Sequence, residues 1–338
     1  MKTILLKFTK RIVLFFSFAC FVFLPMFGQT SLSGTITKDS TLSLAKSPFV
    51  IPSSLTIQSG KTLTIESGVT VKFGASSSLN INGTMNATNV IFTSSSVTPV
   101  PGSWGQIQTG DYSNSGTVNL TDCKINYAQK FVIYKGTATL INTDVTNSSY
   151  QAIHVEALGV LNMNGGLIST TNASAMTNYD GVNAASNSNV TLSGVYIQNY
   201  DNGLGLNTDA NASITNINIT ACNYPINYHS VANLTVAGLN SFSGNNYVAV
   251  KMEFSYLNKS MTLPFISIPY YFPSGFNIQA AGSLTVASKN ILKFQNGNSM
   301  NVEGSLIANA AVGENIYFTS ILDDNWGGDT NKDGTTTA

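Results

Sequence analysis

Apolar residues alternate with polar ones in short bursts along the middle of the chain, and the bursts keep one register. Each burst reads apolar, any, apolar, two residues, apolar or small, any, apolar. The first is Val118, Leu120, Cys123, Ile125, and the second is Ala138, Leu140, Thr143, Val145. Leu161, Met163, Gly166, Ile168 follow, then Val190, Leu192, Val195, Ile197, then Ala212, Ile214, Ile217, Ile219, and last Leu234, Val236, Leu239, Ser241. A second apolar pair comes after each burst: Val132/Tyr134, Ile153/Val155, Val182/Ala184, Leu204/Leu206, Ile226/Tyr228 and Val248/Val250. The interval between successive copies is nearly constant, except that the third copy is stretched by a loop around residues 170–177.

Alternation of this kind marks strands with one buried face. Each strand is too short to stand alone, so the repeat must stack, coil on coil, to build continuous sheets and a continuous core. Crossovers between parallel strands are overwhelmingly right-handed. The pattern therefore predicts an all-β chain, a right-handed parallel β-helix solenoid with coils of about 22 residues. Residues 113–252 form its six central coils, and 48–112 and 253–338 form two flanking opening modules. Leu63–Ala87 aligns with Leu284–Ala308 at a constant offset of 221, with Lys72-Phe73 falling on Lys293-Phe294 and Gly83 on Gly304. The second module runs to Asp323-Asp-Asn-Trp-Gly-Gly-Asp-Thr-Asn-Lys-Asp-Gly334 and the sequence stops soon after, so it is expected to be a fragment of a longer chain.

Coils such as Val190-Thr-Leu-Ser-Gly-Val-Tyr-Ile-Gln-Asn-Tyr-Asp-Asn-Gly-Leu-Gly-Leu resemble the repeats of the pectate-lyase-like superfamily. The flanking modules resemble those of large secreted surface proteins of Gram-negative bacteria. The resemblance covers nearly all of the chain after its N-terminus. It implies the fold strongly and an activity weakly, because that fold serves lyases, hydrolases, adhesins and spike proteins.

The N-terminus departs from the repeat. Lys2, Lys7, Lys10 and Arg11 precede an apolar run from Ile12 to Phe27, and Gly28-Gln29 offers a cleavage point. This is the order of a signal peptide, so residues 1–28 are expected to be removed, leaving 29–47 as a lead-in and the protein secreted, extracellular or on the outer cell surface. No later stretch reaches the roughly 18 apolar residues of a membrane helix. Removal takes four basic and no acidic residues from a balance of 16 and 16, leaving 12 against 16, or −4. That excludes the basic face a nucleic acid needs. Charged residues are only 9%, while 43% hydrophobic content argues against disorder. Cys123 and Cys222 fall four coils apart, about 19 Å at the spacing of stacked strands, so they are core residues and not a disulfide.

Candidate chemistry is sparse. Tyr179-Asp180-Gly181 and Tyr200-Asp201-Asn-Gly203 sit before the second apolar pair on neighbouring coils. Tyr179, Asp180, Tyr200 and Asp201 are the candidate ligand-binding residues, with the stretched loop poised to overhang them. Stacked carboxylates bind calcium or share catalytic work, and Asp before Gly also suits simple turn chemistry. A tyrosine recurs in this region of every central coil, at Tyr127, Tyr150, Tyr179, Tyr200, Tyr224 and Tyr247. Exposed, these rings would form a strip for sugars; buried, they would pack on the coil below. Asp329, Asn331 and Asp333 before Gly334 follow the first half of a calcium loop, D-x-[DN]-x-[DN]-G. His154 and His229 are expected at the surface, three coils apart and in no common site. Asn126, Asn147, Asn199 and Asn223 read as turn residues.

The only arginine is Arg11. Pectate lyases of this fold use an arginine base beside calcium, and polygalacturonases use Arg-x-Lys with several Asp; neither set is present. Lys124, Lys130 and Lys135 sit at the first two coils, away from Asp180 and Asp201. The reading is a non-catalytic surface solenoid, structural or adhesive, with polysaccharide or cell-surface glycans as candidate partners and calcium as the candidate cofactor. A polysaccharide lyase or glycoside hydrolase acting on an acidic polysaccharide is the alternative.

Overall fold

A computed structural model describes residues 29–334. Strands of two to six residues follow one another around each coil, and every strand pairs in parallel with its counterpart one coil on. Thirteen strands make one long sheet that runs the length of the described chain. Two nine-stranded sheets complete the walls as far as Ala237, and two three-stranded sheets continue beyond it. This is the parallel β-helix that the alternation implies. Its coils are about 22 residues long, the separation of the stacked pairs Asp180/Asn202 and Asn211/Asn233. One four-residue helix, Ala175–Asn178, interrupts the strands.

The inward positions stack into columns. In the long sheet Ile153, Val182, Leu204, Ile226 and Val250 lie in register one above another, and each is fully buried. Stacking also fixes the corners. Asn142, Asn147, Asn187, Asn199 and Asn216 hold φ between +46° and +63°, a region that asparagine tolerates because its short amide bonds locally. Asn147 and Asn199 are thus turn residues, as their recurrence suggested. Cys123 and Cys222 are buried free thiols.

Three register details differ from the sequence reading. The first coil turns in Phe131 and Ile133, not Val132 and Tyr134, because those two pair with Ile153 and Val155. The sixth turns in Val250 and Met252 rather than Val248, through pairing with Ile226 and Tyr228. Leu239 is 91% exposed: Gly238 takes φ +66° and the Leu239 amide donates to Asn216 Oδ1 at 2.8 Å, so the chain turns outward there. The aligned modules also diverge, since Thr70–Phe73 joins a nine-stranded sheet and Ile291–Phe294 joins the long one. Residues 1–28, the expected signal peptide with Arg11, lie outside the described residues. Among the described residues no helix is long and apolar enough to cross a membrane.

Candidate active site

The outer surface of the long sheet carries a column in which His154, Asn183, Gly205, Asn227 and Lys251 occupy equivalent places on successive coils. Asp180 reaches this surface through a local break in alternation. A Cβ on Gly181 would strike Ile197 Cγ2 inside the coil at 2.6 Å, so Gly181 and Val182 both face inward and Asp180 faces out. Asn202-Gly203 repeats the device one coil on, where a Cβ would meet Ile219 Cγ2 at 2.3 Å. Glycine is needed at both places because no side chain fits.

Three donors converge on the Asp180 carboxylate, which is 4% exposed. Asn183 Nδ2 donates to Oδ2 at 2.6 Å and Asn202 Nδ2 to Oδ1 at 2.8 Å. His229, from two coils away, places Nε2 3.2 Å from Oδ2. Gly205 supplies the room, since a Cβ there would lie 1.9 Å from Asp180 Oδ2. The other imidazole nitrogen, Nδ1, is 2.5 Å from Glu253 Oε2. Asn227 Nδ2 donates to that same oxygen at 2.8 Å, and Lys251 Nζ holds Oε1 at 3.0 Å. Burial opposes charge on His229, but the flanking Asp180 and Glu253 carboxylates outweigh it and raise its pKa. Burial also works to raise Glu253, and its bonds from Lys251 and Asn227 outweigh that and hold its pKa low.

Asp201 stands beside this clamp. Asn223 Nδ2 donates to its Oδ1 at 3.2 Å. Asn202 Nδ2 reaches its Oδ2 at 3.4 Å while bonding Asp180 at 2.8 Å. One amide therefore spans both carboxylates and brings two of their oxygens within about 6 Å. Burial pushes the Asp201 pKa up, and the Asp180 and Glu253 charges add to it against the pull of Asn223 and Lys251. The groove around these groups measures about 650 Å³, the size of a small-ligand site. Thr177, Asn178 and Tyr179 from the stretched loop form one wall.

Asp180 and Asp201 thus come together in the groove, and Asp180 is the first residue of a strand rather than a turn cap. The tyrosines do not form an open strip. Tyr200 is 1% and Tyr224 7% exposed, and Tyr179 packs edge-on against Tyr150 with centroids 5.3 Å apart. Tyr200 belongs to the core, where burial raises its pKa strongly. His229 is no isolated surface histidine. His154, bonded to Glu156 at 2.9 Å, lines the same groove as His229. The sequence reading missed His229, Glu253 and Asn223, since coil lengths had to be known to bring residues 49 apart together. Outside the lining of this groove, ligand atoms of Asp324, Asp329 and Asp333 lie within 4.8 Å of one another. Asn331 lies beside them, its amide donating to Asp333 Oδ2 at 2.8 Å.

Residues 42–251, more than half of the chain, match the family model of the glycosyl hydrolases family 28. The chain belongs to this family. No curated protein and no solved structure matches it. Within this family 28 chain the matched span contains Asp180, Asp201 and His229, and ends two residues before Glu253. Membership supports the hydrolase alternative of the sequence reading over its non-catalytic one. The sequence objections were a missing arginine and scattered carboxylates; the fold gathers the carboxylates, while no arginine occurs among the described residues.

Proposed function

We propose that the protein is an exported glycoside hydrolase that cuts a polysaccharide laid along the groove. Asp201 acts as general acid and Asp180 as the base that activates water or as the nucleophile. The observation that carries this reading is the pair of carboxylates tied to one amide, Asn202, in unequal surroundings. Hydrolysis of a glycosidic bond needs one carboxyl that keeps its proton and a second that acts as carboxylate. Asp201 is the group whose pKa burial raises, so it holds a proton to higher pH and delivers it to the leaving oxygen. Asp180 accepts from Asn183, Asn202 and His229, which fix its two oxygens. Glu253 and Lys251 position His229 and touch no substrate in this scheme, the role of an outer partner that sets a ring's orientation.

The test is release of reducing ends from soluble polysaccharides by wild type, Asp180→Asn and Asp201→Asn. Both substitutions keep shape and remove acid–base capacity, which is worth on the order of 10²–10⁴-fold in rate. We expect loss of that size in each variant with retention of polymer binding. Variants as active as wild type would refute the assignment.

A further inference from the structure

We infer that the cleft of Tyr112, Tyr134, Lys135 and Leu158 is a remote sugar subsite, which grips the polysaccharide several sugar units away from the bond that is cut. The inference rests on the proposed function only in taking the groove as a sugar site. The cleft measures about 210 Å³ and continues the groove, since Glu156 lines both. Register explains the continuity. Ile133, Val155 and Ala184 stack on successive coils, so the residues that follow them, Tyr134, Glu156 and Ala185, form one row at the strand ends. Ala185 and Glu156 edge the groove, and Tyr134 is the next place along that edge. Asp180 begins the strand that holds Ala184, so Tyr134 lies two coils before it, roughly 10 Å along the axis at ~4.8 Å per coil. Thr109 pairs with Ile133 from one coil earlier, which sets Tyr112, close after Thr109, a further ~5 Å along.

The cleft is held in shape. Tyr112 sits on a stapled turn: Asp111 Oδ1 accepts from the Ser113 and Asn114 amides at 2.8 and 2.7 Å, and Asn82 Nδ2 donates to Asp111 Oδ2 at 2.9 Å. That turn keeps the Tyr112 ring 89% exposed and tilted 58° to the ring of Tyr134, with centroids 5.5 Å apart. Leu158 is 65% exposed and takes φ +67°, a conformation unfavourable for a leucine, so neither its side chain nor its backbone serves the core. Two rings and a leucine offer apolar faces to the C–H face of a sugar. Lys135 supplies the polar half. The acids of the cleft are engaged, Asp111 by its turn and Glu156 by His154 at 2.9 Å, whereas half-buried Lys135 enters no ion pair among the described residues. Its ammonium donors are therefore free for the oxygens of the same sugar, hydroxyl or carboxylate alike.

Affinity electrophoresis of the whole protein tests this, in gels containing polygalacturonate, its methyl-esterified form, a galactan, an arabinan or a xylan. On the polymer that retards wild type most, Tyr112→Ala and Lys135→Met should each weaken retention about three- to tenfold, the scale of one stacked ring or one charge-assisted bond. Melting temperatures should not change, because both side chains lie outside the core. Tyr196→Ala is the control: that ring is exposed too and lines neither cavity, so its loss should leave retention as it is. A Lys135→Met loss confined to polygalacturonate places a carboxylate at the ammonium, and a loss on neutral polymers a hydroxyl; either supports the subsite. Wild-type retention in either cleft variant, an equal loss in Tyr196→Ala, or no retention of wild type by any polymer would overturn the inference. Weakened retention in the variants with no cleavage by wild type would sink the hydrolase reading and leave this one standing; cleavage with unaltered retention in both variants would do the reverse.

Discussion

Gly205→Ala is a single-methyl perturbation of the site. The new Cβ would sit 1.9 Å from Asp180 Oδ2 and 2.4 Å from its Cγ. Ordinary contact needs well over 3 Å, so the carboxylate must move by more than about 1 Å, roughly twice the ~0.5 Å that a working site tolerates. Such a shift breaks the 3.2 Å approach to His229 Nε2 and strains the 2.6 Å bond from Asn183. Each hydrogen bond to a charged group is worth roughly 1.5–3 kcal/mol, and a 1 Å misplacement of a reacting group costs on the order of 10²-fold in rate. We therefore expect kcat/KM on the best polysaccharide to fall about 100-fold. The titration of His229, followed by imidazole NMR, should shift to lower pH as Asp180 withdraws. Gly275→Ala is the control, because its Cβ would meet only Ser299 O at 3.7 Å. A Gly205→Ala enzyme with wild-type turnover and unchanged His229 titration would refute the placement of Asp180.

Other outcomes follow from the same geometry. Leu192 is fully buried and Thr191 exposed, so Leu192→Asp should lower the melting temperature sharply and Thr191→Asp hardly at all; equal melting would contradict the register. Tyr200→Ala should cost about 3–5 kcal/mol as a core truncation, while Tyr179→Ala, on the groove wall, should reduce glycan retention with little loss of stability; denaturant melts and affinity gels separate the two. Asp201 and His229 both have raised pKa values in the folded protein, so each favours folding below its unfolded pKa and loses that contribution as pH rises through its folded pKa. The alkaline limb of kcat should lie above the ordinary carboxylate range, and Asp201→Asn should melt no lower than wild type near neutral pH, since it removes a buried charge. A limb at ordinary carboxylate pH would remove Asp201 as the acid.

The solenoid was legible because its cause is periodic: Leu192, Ile214 and Val236 recur at one constant interval, and stacking needs little more than that. Register errors arose where the repeat weakens, at Val132, where a buried outward residue mimics an inward one, and at Leu239, where Gly238 turns the chain. The site was half legible. Asp180 and Asp201 stood out as stacked carboxylates, but Asp-Gly reads equally as a turn, and only the inward-facing Gly181 shows that the aspartate is aimed outward. His229 and Glu253 follow Asp180 by two and three coils, and their approach depends on the summed length of the intervening chain. Exposure of tyrosines could not be read at all, since Tyr200 differs from Tyr179 by packing and not by pattern.

The central claim is that water is added across a glycosidic bond in this groove. Wild-type protein incubated with the polysaccharide it retains best, in water enriched in heavy oxygen, measures it directly by mass spectrometry of the products. Hydrolysis gives shortened chains with one heavy oxygen per new reducing end, none at the new non-reducing end and no ultraviolet-absorbing unsaturated sugar, and Asp201→Asn should yield on the order of 10²–10⁴-fold less of them. Unsaturated ends without label would make the protein a lyase, and intact polymer after prolonged incubation with well-folded wild type would make it a binding solenoid.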